Sequence, residues 1–547
     1  MRPISRIPSA KQGILVRKSV KIEALSRRRF VRHASLFAAG VSLRPTLALA
    51  QSGHDIVETS SGKVRGVTID GIQWFRGIPY GADTGGVHRF MPPRKVASWS
   101  GVRDCTDWGH IAPQHASANP GDYGRYVRWN NYRGGMSEDC LVLNVWTPAA
   151  GQGKRPVMFI IHGGGYTTGS GNLEALEGQH LARMADMVVV TVNHRLGMLG
   201  FCDLSGFGGA GLQSSGNVGL MDLVLALEWV RDNIAQFGGD PGSVTITGQS
   251  GGGGKCSHLM AMPSAKGLFH KVAIQSGSTL KTGRHEQRQK ETDALCTKLG
   301  VPKGNLAGLQ SVPWQQIVDT QGNAGPVLDG AVVPRDPFDP DAPAISAGVP
   351  MIIGTCLNDS AFTIQDTSVD EASLRTWLEQ QLRASHAEAK TDQILAAYRK
   401  SYPGQNPFLL RAIITTDRST RRNAIAQAER KAAQHGAAAY MYQWNWPAAG
   451  VGARWGAVHG TDLGPAFANP TTEMTGNTPE GKRLAHQLGS SFAALARTGN
   501  PNNPAIPHWS AYNATERPVM IFDAQTRQVN NPASDLIHIW ENLMRAS

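Results

Sequence analysis

Short apolar runs that end in glycine or small polar residues recur along this chain and alternate with stretches of helical period. Residues 157–161, 187–193, 244–247, 272–277 and 351–355 are apolar or β-branched in their leading positions, and the Leu-Val-Leu-Asn-Val-Trp run of 141–146 is similar. Such runs read as strands buried on both faces. Between them, 219–236 places Leu220, Leu223, Leu227, Val230 and Ile234 on one helical face, and 255–262 also has a helical pattern. Strands separated by helices predict a mainly parallel sheet with its working residues at the carboxyl ends of the strands. The opening, 55–102, differs: the alternation and closely spaced glycines of 57–59, 62–66 and 74–80 predict short antiparallel strands. The polar, glycine-rich and aromatic stretch 114–135 reads as a long surface loop. The charged stretches 280–320 and 366–435 have helix-rich patterns and exceed what such a core requires.

Composition changes the picture at one end only. The 547 residues carry a formal charge of +12, which invites a nucleic-acid reading. Residues 1–50, however, hold eleven Lys and Arg against Glu23 alone, so the remainder is almost balanced at +2. The basic character describes a leader, and no electrostatic footprint for nucleic acid remains. Within that leader, Ser26-Arg27-Arg28-Arg29-Phe30-Val31-Arg32 resembles the twin-arginine export motif. The apolar run 34–43 follows it, and Ala48-Leu49-Ala50 offers a small-residue cleavage site. Export from a bacterial cytoplasm to the periplasm or beyond is the expectation. The apolar run is broken by Arg44 and Pro45 and falls short of the roughly 20 residues of a spanning helix, so no stable membrane anchor is expected after its removal. The expected division is a leader, 1–50, and one domain, 51–547.

The candidate chemistry centres on 237–254, FGGDPGSVTITGQSGGGG. Here a buried strand runs into glycines and then into a helix, and Gly248-Gln249-Ser250-Gly251-Gly252 fits G-x-S-x-G. A nucleophile on a strained strand-to-helix corner needs neighbours without bulky side chains, and the turn then lifts the Ser250 hydroxyl above the sheet edge. A second glycine run, His162-Gly163-Gly164-Gly165, follows another strand, where bare amides can approach a developing oxyanion directly. The six cysteines show neither C-x-x-C nor Cys/His metal spacing, which argues against zinc.

These segments, with Ser137-Glu138-Asp139-Cys140 and the strand after it, closely resemble the type-B carboxylesterase family of the α/β-hydrolase fold, which includes the cholinesterases. The resemblance covers nearly the whole chain after residue 55. It implies a large central mixed, mostly parallel sheet flanked by helices, with insertions shaping the pocket, and an overhanging loop at 114–135. It further implies a serine carboxylesterase that works through an acyl-enzyme on Ser250, acts on a small-molecule ester and needs no metal or organic cofactor.

By the same resemblance the oxyanion donors are the N–H groups of Gly164, Gly165 and Gly251. The loop Trp455-Gly456-Ala457-Val458-His459-Gly460 looks like the family's histidine loop, making His459 the base. Asp359 aligns with the family's usual glutamate as the acid; being one methylene shorter, it requires loop and histidine to sit closer. Asp329 and Asp462 remain alternatives to it. Three departures stand out. Gln249 replaces a glutamate, which removes a negative charge and any special preference for choline esters. His194 stands where the family carries a tyrosine. The cysteine expected before Pro113-Gln114 is Ala112, leaving a Cys105–Cys140 bridge open. Trp129 lies near the cholinesterases' cation-stacking tryptophan but shifted by one residue, and reads as a packed loop aromatic. A non-catalytic binding protein, and a lipase or acyltransferase of the same fold, are the alternatives to an esterase. The oligomeric state is not legible.

Overall fold

Parallel pairing of the apolar runs builds the frame. The computed structural model describes residues 55–116, 121–127, 132–320, 322–469, 474–532 and 534–545. The strands are β1 (Ile56–Thr59), β2 (Gly62–Arg65), β3 (Val67–Ile69), β4 (Ile72–Pro79), β5 (Val102–Asp104), β6 (Val142–Thr147) and β7 (Arg155–Ile161), followed by β8 (Val188–Val192), β9 (Gly239–Gln249), β10 (Lys271–Gln275), β11 (Met351–Cys356), β12 (Ala439–Trp444), β13 (Pro518–Phe522) and β14 (Arg527–Asn530). Eleven of them form one sheet in the order β14-β13-β12-β11-β10-β9-β7-β8-β6-β4-β3, while β1, β2 and β5 form a small separate one. From β8 across to β13 every pairing is parallel; β6, β4, β3 and β14 run antiparallel at the two edges.

Helices cover both faces, so the central strands are apolar on both. Val157, Phe159 and Ile161 of β7 join one buried cluster, whereas Met158 and Ile160 join the other, as the two-residue period of a strand requires. The helix Val218–Asn233 is buried on nearly its whole circumference, with Leu220, Leu223, Leu227 and Val230 all sequestered.

Register sets where the chemistry lies. Ile161 pairs with Gly248, Gln249 with Gln275, and Gln275 with Gly354. The residues after β7, β9, β10 and β11 therefore emerge side by side past one edge of the sheet.

The structure departs from expectation in several places. The stretch 114–135 contains a helix, Gly121–Val127, that packs Tyr126 and Val127 against Trp455 and Phe408. Strands β12 to β14 were not legible, because six residues such as AYMYQW carry too little period to stand out between helices. All six cysteines are free and buried, so Cys105 and Cys140 form no bridge. Residues 1–50 and Trp129 lie outside the described residues. No described helix is long and apolar enough to cross a membrane, and no described group of His, Cys, Asp and Glu could hold a metal ion.

Candidate active site

Ser250 follows β9 directly and caps the helix Gly251–Ala261 at φ 59° and ψ −126°. A residue with a Cβ in that conformation stores of order 1–3 kcal/mol, which the surrounding packing must hold. Three contacts show how. The Ser250 amide donates to the Gln275 carbonyl at 2.7 Å, and its carbonyl accepts from the Gly254 amide at 3.1 Å. On the far side, a Cβ on Gly251 would lie 2.4 Å from the Gly165 Cα, so only glycine lets the helix start against the triglycine loop. Gly251 is the first helical residue, and its N–H has no acceptor within the helix.

The triglycine loop is itself held in shape. Gly164 has φ 89°, a conformation that favours glycine, and its carbonyl accepts from the amides of Thr167 and Thr168. Gln114 clamps the loop's far end: its amide donates to the Gly169 carbonyl at 2.9 Å while its oxygen accepts from the Gly169 amide at 2.8 Å. Gly163 lies against the nucleophile, since a Cβ there would come 3.5 Å from that of Ser250. The predicted donors Gly164, Gly165 and Gly251 are thus gathered beside Ser250.

Asp359 and His459 meet directly. His459 Nδ1 lies 2.6 Å from Asp359 Oδ1, and because a carboxylate only accepts, Nδ1 carries the proton. The backbones are joined as well, the His459 amide donating to the Asp359 carbonyl at 3.3 Å. This answers the missing methylene: the two loops touch, so the shorter acid reaches. The second oxygen, Oδ2, accepts from the Cys356 amide at 3.0 Å and from the Ser276 hydroxyl. Asp359 is only 1% exposed, and these donors offset its desolvation.

Ser276 had no assigned role in the sequence, although the strand ending in Gln275-Ser276-Gly277 marked its neighbourhood. It follows Gln275, whose carbonyl holds the Ser250 amide, so nucleophile turn, acid and imidazole are linked through adjacent strand ends. The other acids are engaged elsewhere. Asp462 accepts from the Tyr442 hydroxyl at 2.6 Å, with burial raising its pKa, and Asp329 accepts from Asn217 and from the amides of Ala331 and Val333.

The helix-rich stretch after 366 supports the site from outside. Thr416, on the helix Pro407–Arg418, takes the Ser360 amide at 2.9 Å, and Asn358 donates to the Leu409 carbonyl at 3.3 Å. Phe362 stacks on the His459 ring at 4.9 Å between centroids, and the Tyr123 hydroxyl donates to the His459 carbonyl at 2.6 Å. His194 stacks on His162 at 4.9 Å, directly behind the triglycine loop.

Serine, acid and histidine follow one another in that order along the chain and collect past the carboxyl ends of a parallel sheet, as in the α/β-hydrolase class of serine hydrolases. Within that class the chain belongs to the carboxylesterase family, whose profile matches residues 53–540, and it is a carboxylic-ester hydrolase. It is 34% identical over 502 residues to the para-nitrobenzyl esterase of Bacillus subtilis (strain 168), covering 88% of this chain and 97% of that one. It is 32% identical to the phenmedipham hydrolase of Pseudarthrobacter oxydans, covering 87% and 96%. Among solved structures, a Geobacillus stearothermophilus carboxylesterase superposes with a TM-score of 0.76 at 30% identity, covering 89% and 99%.

Proposed function

We propose that this esterase works through an acyl-enzyme on Ser250, with His459 as general base and then general acid, and Asp359 as the group that fixes and stabilises its imidazolium. The observation that carries the reading is the 2.6 Å contact between His459 Nδ1 and Asp359 Oδ1, which leaves Nε2 to exchange protons with the serine and the leaving alcohol. The N–H groups of Gly164, Gly165 and Gly251 receive the oxyanion of each tetrahedral intermediate. Water then resolves the acyl-enzyme. A fluorophosphonate reporter should label the wild-type protein once per chain and leave Ser250→Ala unlabelled. A wild type that ignored the reporter would favour a non-catalytic binding protein. The kinship with a para-nitrobenzyl esterase makes a p-nitrobenzyl ester the first substrate to try, and soluble short-chain against emulsified long-chain esters separates esterase from lipase.

Gln249 is buried and neutral beside the nucleophile, so the site offers no fixed anion there to a cationic alcohol. A choline ester and its isosteric neutral ester should therefore show similar kcat/KM; a strong preference for the choline ester would contradict this.

We also infer export by the twin-arginine route, supported by the motif at 26–32, the short apolar run after it and the small residues at 48–50. Arg27→Lys with Arg28→Lys should hold active enzyme in the cytoplasm, and unchanged delivery to the periplasm would overturn the inference.

A further inference from the structure

Behind the triglycine loop lies an ammonium that the reaction above does not use. Lys255 sits on the first turns of the nucleophile helix, fully buried. Its Nζ donates to the His162 carbonyl at 3.2 Å and lies 5.6 Å from the centre of the Tyr166 ring, and no carboxylate is within ion-pair distance among the described residues. Taking an ammonium out of water without a counter-ion is costly, and a fold has no packing reason to keep it when methionine has a similar stem. What the charge does touch is specific. The His162 carbonyl is one end of the peptide that opens the loop, and the next peptides carry the Gly164 and Gly165 N–H groups.

We propose that Lys255 is a positioning residue for ester hydrolysis: its ammonium grips the His162 carbonyl from behind, fixes the triglycine loop against Ser250, and adds positive potential on the side opposite the developing oxyanion. The inference rests on the reading of Gly164, Gly165 and Gly251 as the oxyanion donors. Two features of the site agree with it. The helix N-terminus at Gly251 points positive potential to the same place. The loop has no side chains of its own to brace it, so a brace must come from outside.

The surroundings single out Lys255 as the group whose charge changes near neutral pH. Burial lowers its pKa to about 7. The groups facing it stay neutral there: burial takes His162 down to about 3 and His194 well below its usual value, while it raises the Tyr166 hydroxyl and the Cys256 thiol. Beyond His194, Arg195 and Asp222 form a buried pair of fixed opposite charges. The sign follows. Hydrolysis needs His459 neutral and Lys255 protonated, so kcat should decline as pH rises through the neutral range.

The test compares wild type with Lys255→Met, which keeps the stem and loses charge and donor, and Lys255→Gln, which keeps a donor without charge. For a p-nitrophenyl ester, kcat of Lys255→Met should fall roughly tenfold with KM little changed, less than the loss of a direct oxyanion donor. The alkaline decline should vanish in both variants, the wild type descending toward the Lys255→Met level as pH rises. The melting temperature should move the opposite way: with the folded pKa lowered to about 7, the native state loses stability as pH falls from the ordinary lysine range to about 7 and keeps that loss below it, so Lys255→Met should melt higher at neutral and acid pH. A variant that is merely less well packed would lose stability and keep the alkaline limb. Unchanged kcat together with a persisting alkaline decline in Lys255→Met, or in Lys255→Gln should the first variant not fold, overturns the proposal. If Ser250→Ala is inactive and the Lys255 variants behave as wild type, only this proposal fails; if Ser250→Ala is active, the assignment of the site fails.

Discussion

Ser250→Ala is expected to lower kcat for ester hydrolysis by about a million-fold, the scale seen when a serine nucleophile is removed from such a triad. The argument turns on what alanine keeps. The φ of 59° at this position strains any residue with a Cβ, and alanine has one, so the turn bears the same strain in both proteins. The amide still donates to Gln275 and the carbonyl still accepts from Gly254, because both contacts are backbone. The variant should therefore fold and melt as the wild type does, and the lost rate belongs to the hydroxyl. What remains comes from the oxyanion donors acting on direct attack by water, a residual of about 10³–10⁴ over the uncatalysed reaction. Near-normal turnover by Ser250→Ala, measured with the p-nitrobenzyl ester, would remove Ser250 from the mechanism.

Asp359→Asn is expected to cost about 10⁴-fold in kcat without unfolding the protein. Its effect can be derived from hydrogen-bond sense. Oδ2 accepts from the Cys356 amide, which cannot reverse, so the asparagine must keep its oxygen on that side. Its NH₂ group then faces His459 Nδ1 in place of Oδ1, donor against donor. The imidazole escapes by moving its proton to Nε2, where it can no longer take the proton of a serine. The Ser276 hydroxyl donates to that same oxygen, so this side of the pocket stays satisfied. Stopped assays and thermal melting on the same preparation check both halves: a large loss of kcat at unchanged stability is expected. Retention of near-wild-type kcat would show that Asp462 or another acid serves the histidine.

These two variants also mark where the sequence ran out. The nucleophile turn and the triglycine loop were legible because their chemistry is local: a β-branched run, then glycines wherever backbones must nearly touch, as Gly251 does against Gly165. The acid was legible only as a choice among Asp359, Asp329 and Asp462, since a carboxylate's role depends on what folds against it. The support for Asp359 was not legible at all. Ser276 is 83 residues away from it, and the helix Pro407–Arg418 that braces its loop reads in isolation as a charged amphipathic segment.

By itself, the sequence determined the alternation of strands and helices from β6 to β11, the sharp turn at Ser250 and the bare amides of the loop after β7, because each is dictated by the backbone freedom and burial of neighbouring residues. Only the tertiary structure decided that His459 takes Asp359, that Ser276 shares that carboxylate, that Cys105 and Cys140 stay thiols, and that Lys255 is buried behind the glycine loop without a counter-ion among the described residues. Each of those pairings is fixed by strand register and loop contact across long stretches of chain, where residue type says what a group can do but not what it will meet.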